Sequence, residues 1–276
     1  MRTRDPVKQK KPIRDLVDAV APCWAGEALV ARRYLGNGHR TPERDVAWIG
    51  FQIFKEFSGG GVYGGPGATV ASILEAATRR ACAIGLATPP IEIEQILDDL
   101  NFAVDELRHM TQFIGLYALA GGDPQRSIES LGQFDHARRL AALRQQARTT
   151  DEGRAAVNLS EGGGLGLQFG MQEHYARHAP TSAVDREVVR LSGAILADET
   201  NHLRSRFRSV AALGDVALAW PELTRHLVAI STQKLRERNE QFSSPLDDAE
   251  IAQIVADRSL GRDYVRQHLG FLIADL

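Results

Sequence analysis

Glu and His stand three positions apart twice in this chain, each time behind an Asp: Asp105-Glu106-Leu107-Arg108-His109 and Asp198-Glu199-Thr200-Asn201-His202. On a helix, residues i and i+3 project from one face, about 60° apart. A carboxylate oxygen and an imidazole nitrogen so placed can reach one metal ion. Two such helices supply two carboxylates and two imidazoles, the nucleus of a dinuclear carboxylate site in a four-helix bundle. Glu-x-x-His alone arises by chance in roughly one chain in two of this composition. A preceding Asp, found twice, takes the pattern well below that background.

The segments that must position these residues read as helices almost throughout. Strand-like alternation is nearly absent, and alanine, leucine, arginine and glutamate dominate. Residues 11–35 read as an amphipathic helix ending near Gly36-Asn37-Gly38, and Thr41-Pro42-Glu43 opens a second that runs to about Phe57. Gly59 to Gly67 reads as a connector or substrate lid; it lacks the Gly-Lys-Ser/Thr ending of a phosphate-binding loop. Four long segments follow, about 68–86, 91–120, 151–178 and 182–213, with a shorter helix at 128–149 between the second and third. Helices near 221–242 and 245–273 complete an all-α chain. The expectation is one domain: an N-terminal helical extension (1–67), a four-helix core (68–213) and a C-terminal helical cap (214–276).

A carboxylate-bridged metal pair takes one further carboxylate from each remaining helix, and ligands on antiparallel neighbours must lie equally far from the turn joining them. Glu161 lies 17 residues before the helix end at 178, and Glu199 lies 17 after the next start at 182. Glu173 misses that level by about 18 Å. On the first long segment Glu75 is offset from Glu106 by about 6 Å, which a proline turn can absorb. Glu56, ahead of the glycine loop, is set aside for want of a path. The expected ligands are therefore Glu75, Glu106, His109, Glu161, Glu199 and His202. Asp105 and Asp198 are expected to accept the second N–H of a metal-bound imidazole, each from the His of the opposite helix.

The glycines after Glu161 (162, 163, 164, 166 and 170) cost roughly 1 kcal/mol each against alanine in a helix interior. They imply close approach of backbone or a ligand, or a bulge in the helix near the metals, or simply tight helix packing through small residues. Gly164, Leu165, Gln168 and Gln172 share the Glu161 face and form a candidate substrate wall. Arg79 and Cys82 on the Glu75 face, Phe113 one turn after His109, and Arg206 on the Glu199 face complete the candidate pocket. Both arginines also fit structural ion pairs, and Phe113 fits core packing.

Taken together, these motifs resemble the ferritin-like carboxylate-bridged di-iron superfamily, in which Glu…Glu-x-x-His occurs twice. The paired Asp-Glu-x-x-His form resembles its oxygenase and oxidase branch. That branch includes bacterial multicomponent hydroxylases, ribonucleotide reductase small subunits and aryl-amine N-oxygenases. The resemblance covers roughly 68–213 and is specific only in its ligands. A radical tyrosine of the reductase type is replaced by Phe113, and the third His of the N-oxygenases by Ile195. What the resemblance implies is a ferritin-like four-helix bundle with additional terminal helices. It implies two irons (or a manganese–iron pair), O2 as co-substrate, and hydroxylation, N-oxygenation or desaturation of a small organic molecule. It further implies an external electron donor, a reductase or ferredoxin, and a homodimer. The alternative is a ferroxidase or peroxidase of ferritin or rubrerythrin type with no organic substrate.

Composition narrows the partners. The chain has 276 residues, 43% hydrophobic and 25% charged, with a net charge of −2. That balance offers no electrostatic reason to bind nucleic acid or an anionic membrane. The basic start (Arg2, Arg4, Lys8, Lys10, Lys11, Arg14) is followed by no apolar core, so no leader or membrane anchor is read there. Cys23 and Cys82 are too few for a disulfide framework and suit a reducing cytoplasm.

Overall fold

The computed structural model describes residues 6–38, 40–58, 68–132 and 134–274, and among these the chain is all-helical with no strand. The Gly59–Gly67 connector and the basic residues Arg2 and Arg4 lie outside the described residues. No helix among the described residues is long and apolar enough to cross a membrane. The helices are α1 (Pro6–Leu35), α2 (Pro42–Ser58), α3 (Ala68–Cys82), α4 (Pro90–Leu119), α5 (Asp135–Ala147), α6 (Asp151–Leu159), α7 (Gly162–Arg177), α8 (Ala183–Ala217), α9 (Trp220–Gln241), α10 (Asp248–Ala256), α11 (Arg258–His268) and α12 (Gly270–Ala274). A 3₁₀ turn, Ile128–Gly132, precedes α5. Contacts group the chain into two compact units, one of residues 1–40 and 134–276, the other of 41–133. This grouping differs from the expected extension, core and cap, because α1 packs on the second half of the chain.

In the larger unit α1 is central and packs on α7, α9 and α11. Residues 20–28 are all buried, more than two full turns, so the middle of the helix is enclosed on every side. Pro22 forfeits a backbone hydrogen bond inside α1, and Gly261 of α11 lies against its ring: a Cβ there would come within 2.7 Å of Pro22 Cδ. The start of α8 is fixed by a capping box, in which Ser182 Oγ accepts from the Asp185 N–H and Asp185 accepts from the Ser182 N–H. Asp185 also accepts from Arg40 at 2.7 Å and from the Tyr175 hydroxyl at 2.6 Å.

Burial alone would raise the Asp185 pKa, but these donors overrule it and hold the carboxyl well below the usual range. Its stabilising contribution is therefore fully present above about pH 4 and lost as pH falls below that, since the folded state resists protonation more than the unfolded one. Replacing Asp185 by Asn is expected to lower thermal stability at neutral pH and to flatten the acid limb of a Tm-against-pH curve.

The smaller unit holds α2, α3 and α4. Trp48, Ile49, Phe51 and Ile53 of α2 are buried, and α2 packs chiefly on α4. Helix α4 stops where Gly121 adopts φ +88° and the Gly122 N–H returns to the Tyr117 carbonyl, the left-handed C-terminal cap that a Gly-Gly pair permits.

Candidate metal centre

In the smaller unit, Glu106 and His109 of α4 are joined by Glu56, near the C-terminal end of α2. One ligand atom from each of the three lies within 4.8 Å of the others. His109 is 0% exposed, Glu56 7% and Glu106 9%. His109 Nδ1 stands 3.7 Å from Glu56 Oε2, and Gln52 donates to Glu56 Oε1 at 2.5 Å. Burial alone would raise the Glu56 pKa; the hydrogen bond and charge of His109, with hydrogen bonds from Gln52 and Glu106, hold it below the ordinary range instead. A metal cation would sit among these three groups, and its binding would release any proton they carry. Two carboxylates and an imidazole are an oxygen-rich set that suits Fe(II) or Mn(II).

Glu75 is not among them. It is exposed on α3 and pairs with Arg79 at 2.8 Å, one helical turn away, and Cys82 is exposed as well. The structure therefore brings Glu56, not Glu75, to the first motif. The sequence expectation took the helix adjoining α4 in the chain as its ligand partner, whereas the buried face of α2 carries the carboxylate. Phe113 is 3% exposed and belongs to the core. Asp105 accepts from Arg108 at 2.6 Å within its own helix.

In the larger unit, α8 places a Glu199 carboxylate oxygen and a His202 ring nitrogen within 4.8 Å of each other. Glu161 sits where the expected continuous 151–178 helix breaks, between α6 and α7. The Gly164 N–H bonds the Glu161 carbonyl at 2.7 Å, so the chain tightens to an i→i−3 pattern and the Ser160 carbonyl loses its usual partner. Ser160 O accepts instead from the Gly163 N–H at 3.3 Å and from Lys234 at 2.9 Å, and Arg144 donates to Ser160 Oγ at 3.1 Å. Burial lowers the Lys234 pKa, opposed chiefly by the charge of Glu27. The two cations thereby brace the break that presents Glu161. Glu161 Oε2 is itself buried and accepts no hydrogen bond, with Arg206 Nε at 3.7 Å. A buried carboxylate oxygen without a donor is costly, and a cation would satisfy it.

The glycines of α7 divide between two of the expected roles. A Cβ on Gly163 would fall 1.8 Å from Glu27 Oε1, on Gly166 2.2 Å from the Trp24 carbonyl, and on Gly170 2.4 Å from the Ala28 carbonyl. These three permit α7 to lie against α1. Gly164 alone faces the motif, where a Cβ would sit 3.5 Å from the Glu199 carboxylate. Gly166→Ala is expected to lower the Tm, since helix backbone would have to give way at a cost of roughly 1–3 kcal/mol. Gly164→Ala should fold at least as well, gaining up to about 1 kcal/mol of helix propensity. Leu165 and Gln168 are buried. Gln172 is tied to α8 through Val189 O and Ser192 Oγ, a packing role.

Glu27 is a buried charge that the sequence reading passed over. Its Oε2 accepts from Arg238 Nε at 3.0 Å, and both side chains are almost fully enclosed. The signal was available: a single Glu inside the apolar run Cys23 to Ala31 is buried only if paired. A separate cavity of about 410 Å³, lined by Arg32, Arg33, His174, Arg177 and His178 among others, lies at the C-terminal ends of α1 and α7. It stands about 25 Å along α7 from Glu161, and its cations offset the carbonyl ends of the two helices.

Compared with known protein families, curated proteins and solved structures, the chain matches no family model, no curated protein and no structure.

Proposed function

We propose that this chain is a non-haem di-iron oxygenase or oxidase that uses O2 to oxidise a small organic substrate. Glu56, Glu106 and His109 would hold one iron and Glu161, Glu199 and His202 the other, the ligands being carried by α2, α4, the turn before α7, and α8. The observation that carries the reading is the buried Glu56–Glu106–His109 cluster, which turns the first half of a duplicated motif into a three-ligand set. The buried, hydrogen-bond-free Glu161 oxygen beside the second motif supports it.

When bound, the metal pair would supply O2 activation and the oxidising power for oxygen insertion or hydrogen removal. The chain's own part is placement. Gln52 orients Glu56, and Lys234 with Arg144 fixes the helix break that carries Glu161. Gly164 keeps space beside Glu199, and Arg206 balances charge at Glu161. Asp105 and Asp198 keep their proposed role of accepting a ligand imidazole's second N–H. Electrons come from an external reductase or ferredoxin.

The test is O2 uptake by the Fe(II)-loaded protein under a chemical reductant. Sustained catalytic uptake, accelerated by a compound from a panel of small aromatic, amine and acid substrates and abolished by Glu199→Ala, is the expected result. Uptake that only tracks added Fe(II), with iron accumulating in a shell of many subunits, would show iron storage and overturn the oxygenase reading.

A further inference from the structure

Helix α4 is apolar on two opposite faces. One carries Phe102, Phe113 and Leu116, buried in the smaller unit together with Glu106 and His109. The other is exposed: Leu97 and Val104 are 54% and 53% accessible, and Ile93, Leu107 and Ile114 between 37% and 44%. With the partly buried Leu100, these residues follow a 4-3-4-3 spacing, interrupted only by Thr111. That is the a/d seam of a heptad repeat, kept in register for about 32 Å of helix. A surface helix has no need of a second apolar stripe, and an exposed patch of this extent marks an interaction site.

The flanking charges identify the occupant. Next to the seam, at heptad spacing, lie Glu94, Asn101 and Arg108, all exposed. The opposite flank is Ile96, Ala103 and Met110, turned into or toward the unit's own core. Only the first flank can line an interface, so a partner helix must present the same flank, which is the arrangement of an antiparallel pair. About a twofold axis at Asn101, Glu94 of each copy then meets Arg108 of the other, and Asn101 meets itself. The seam is self-complementary in both its apolar layers and its charge order. Arg108 also donates to Asp105, and a guanidinium with five N–H donors can serve both carboxylates.

We propose that α4 pairs antiparallel with α4 of a second copy of this chain, through the Ile93–Ile114 seam, with Glu94 and Arg108 fixing direction and register. The ligands Glu106 and His109 lie on the opposite face of the same helix, so dimerisation and metal binding are separable.

Sedimentation equilibrium tests this. The wild-type chain should be a dimer in the micromolar range, and Leu97→Glu or Val104→Glu should raise its dissociation constant at least about tenfold. Helix content and metal stoichiometry should be unchanged in both variants. Glu94→Arg and Arg108→Glu should each weaken the dimer at low salt, and the double variant Glu94→Arg/Arg108→Glu should restore it, since the charges exchange places about the twofold axis. A wild-type monomer throughout that range, or a dimer indifferent to both seam variants, would overturn the proposal. Failure of the double charge variant to recover would overturn the antiparallel register.

Discussion

Glu56→Ala is expected to weaken metal binding by about 100-fold or more, while Glu75→Ala leaves it unchanged. The difference rests on where the two carboxylates lie. Glu56 is enclosed with Glu106 and His109, and its oxygens face the imidazole and the amide of Gln52. Loss of a group that merely supports a ligand already costs 10–100-fold in metal affinity as an order of magnitude (~10²), so loss of a ligand should cost at least the upper end. Glu75 is held only by an exposed pairing with Arg79, worth roughly 0.3–0.5 kcal/mol to the helix and nothing to a distant metal. Glu56→Gln should behave like Glu56→Ala toward metal but keep more of the apo-protein's stability, because the amide still fits the cavity. Equilibrium titration of metal into each variant, with Tm recorded alongside, checks all three. A loss of binding in Glu75→Ala with full binding in Glu56→Ala would invert the assignment.

The second large effect lies in the larger unit. Arg238→Met removes the hydrogen-bonded partner of the Glu27 carboxylate in a position 0% exposed, leaving it only the longer-range charges of Lys234 and Arg144. Removing one partner of a buried ion pair costs about 3–5 kcal/mol, which for a unit of this size corresponds to a fall in Tm on the order of 10 °C. Glu27→Leu is expected to be similarly harmful, as it strands the guanidinium. The double variant Glu27→Leu/Arg238→Met should recover much of the loss, because two apolar groups in a dry site have no desolvation penalty to offset. The recovery measures a coupling that additive single effects could not produce. Single variants that cost less than about 1 kcal/mol and simply add would mean that the pair is wet and structurally idle.

Much of the helical layout was legible because prolines and glycines punctuate it. Pro42, Pro90 and the Ser182 cap open helices within a residue or two of their expected starts, and Gly121 closes α4. The duplicated motif was legible for the same reason: helical period alone puts Glu and His on one face. Gly164, expected on the Glu161 face, lies beside Glu199. Three things were not legible. The break at Ser160 is stabilised by Lys234 and Arg144 from remote helices, so the glycine run after Glu161 allowed a bulge without fixing where the helix breaks. The choice between Glu56 and Glu75 depended on whether α2 or α3 carries the ligand to α4, a tertiary fact that segment order does not encode. The central place of α1 was hidden because its 25-residue apolar pattern reads equally well as an amphipathic extension.

The most direct test of the account is an anaerobic titration of the apo-protein with Fe(II), counting tightly bound irons per chain. The dinuclear assignment predicts about two, falling on Glu106→Ala and on Glu199→Ala. Fewer than one iron per chain, with no change in either variant, would contradict it.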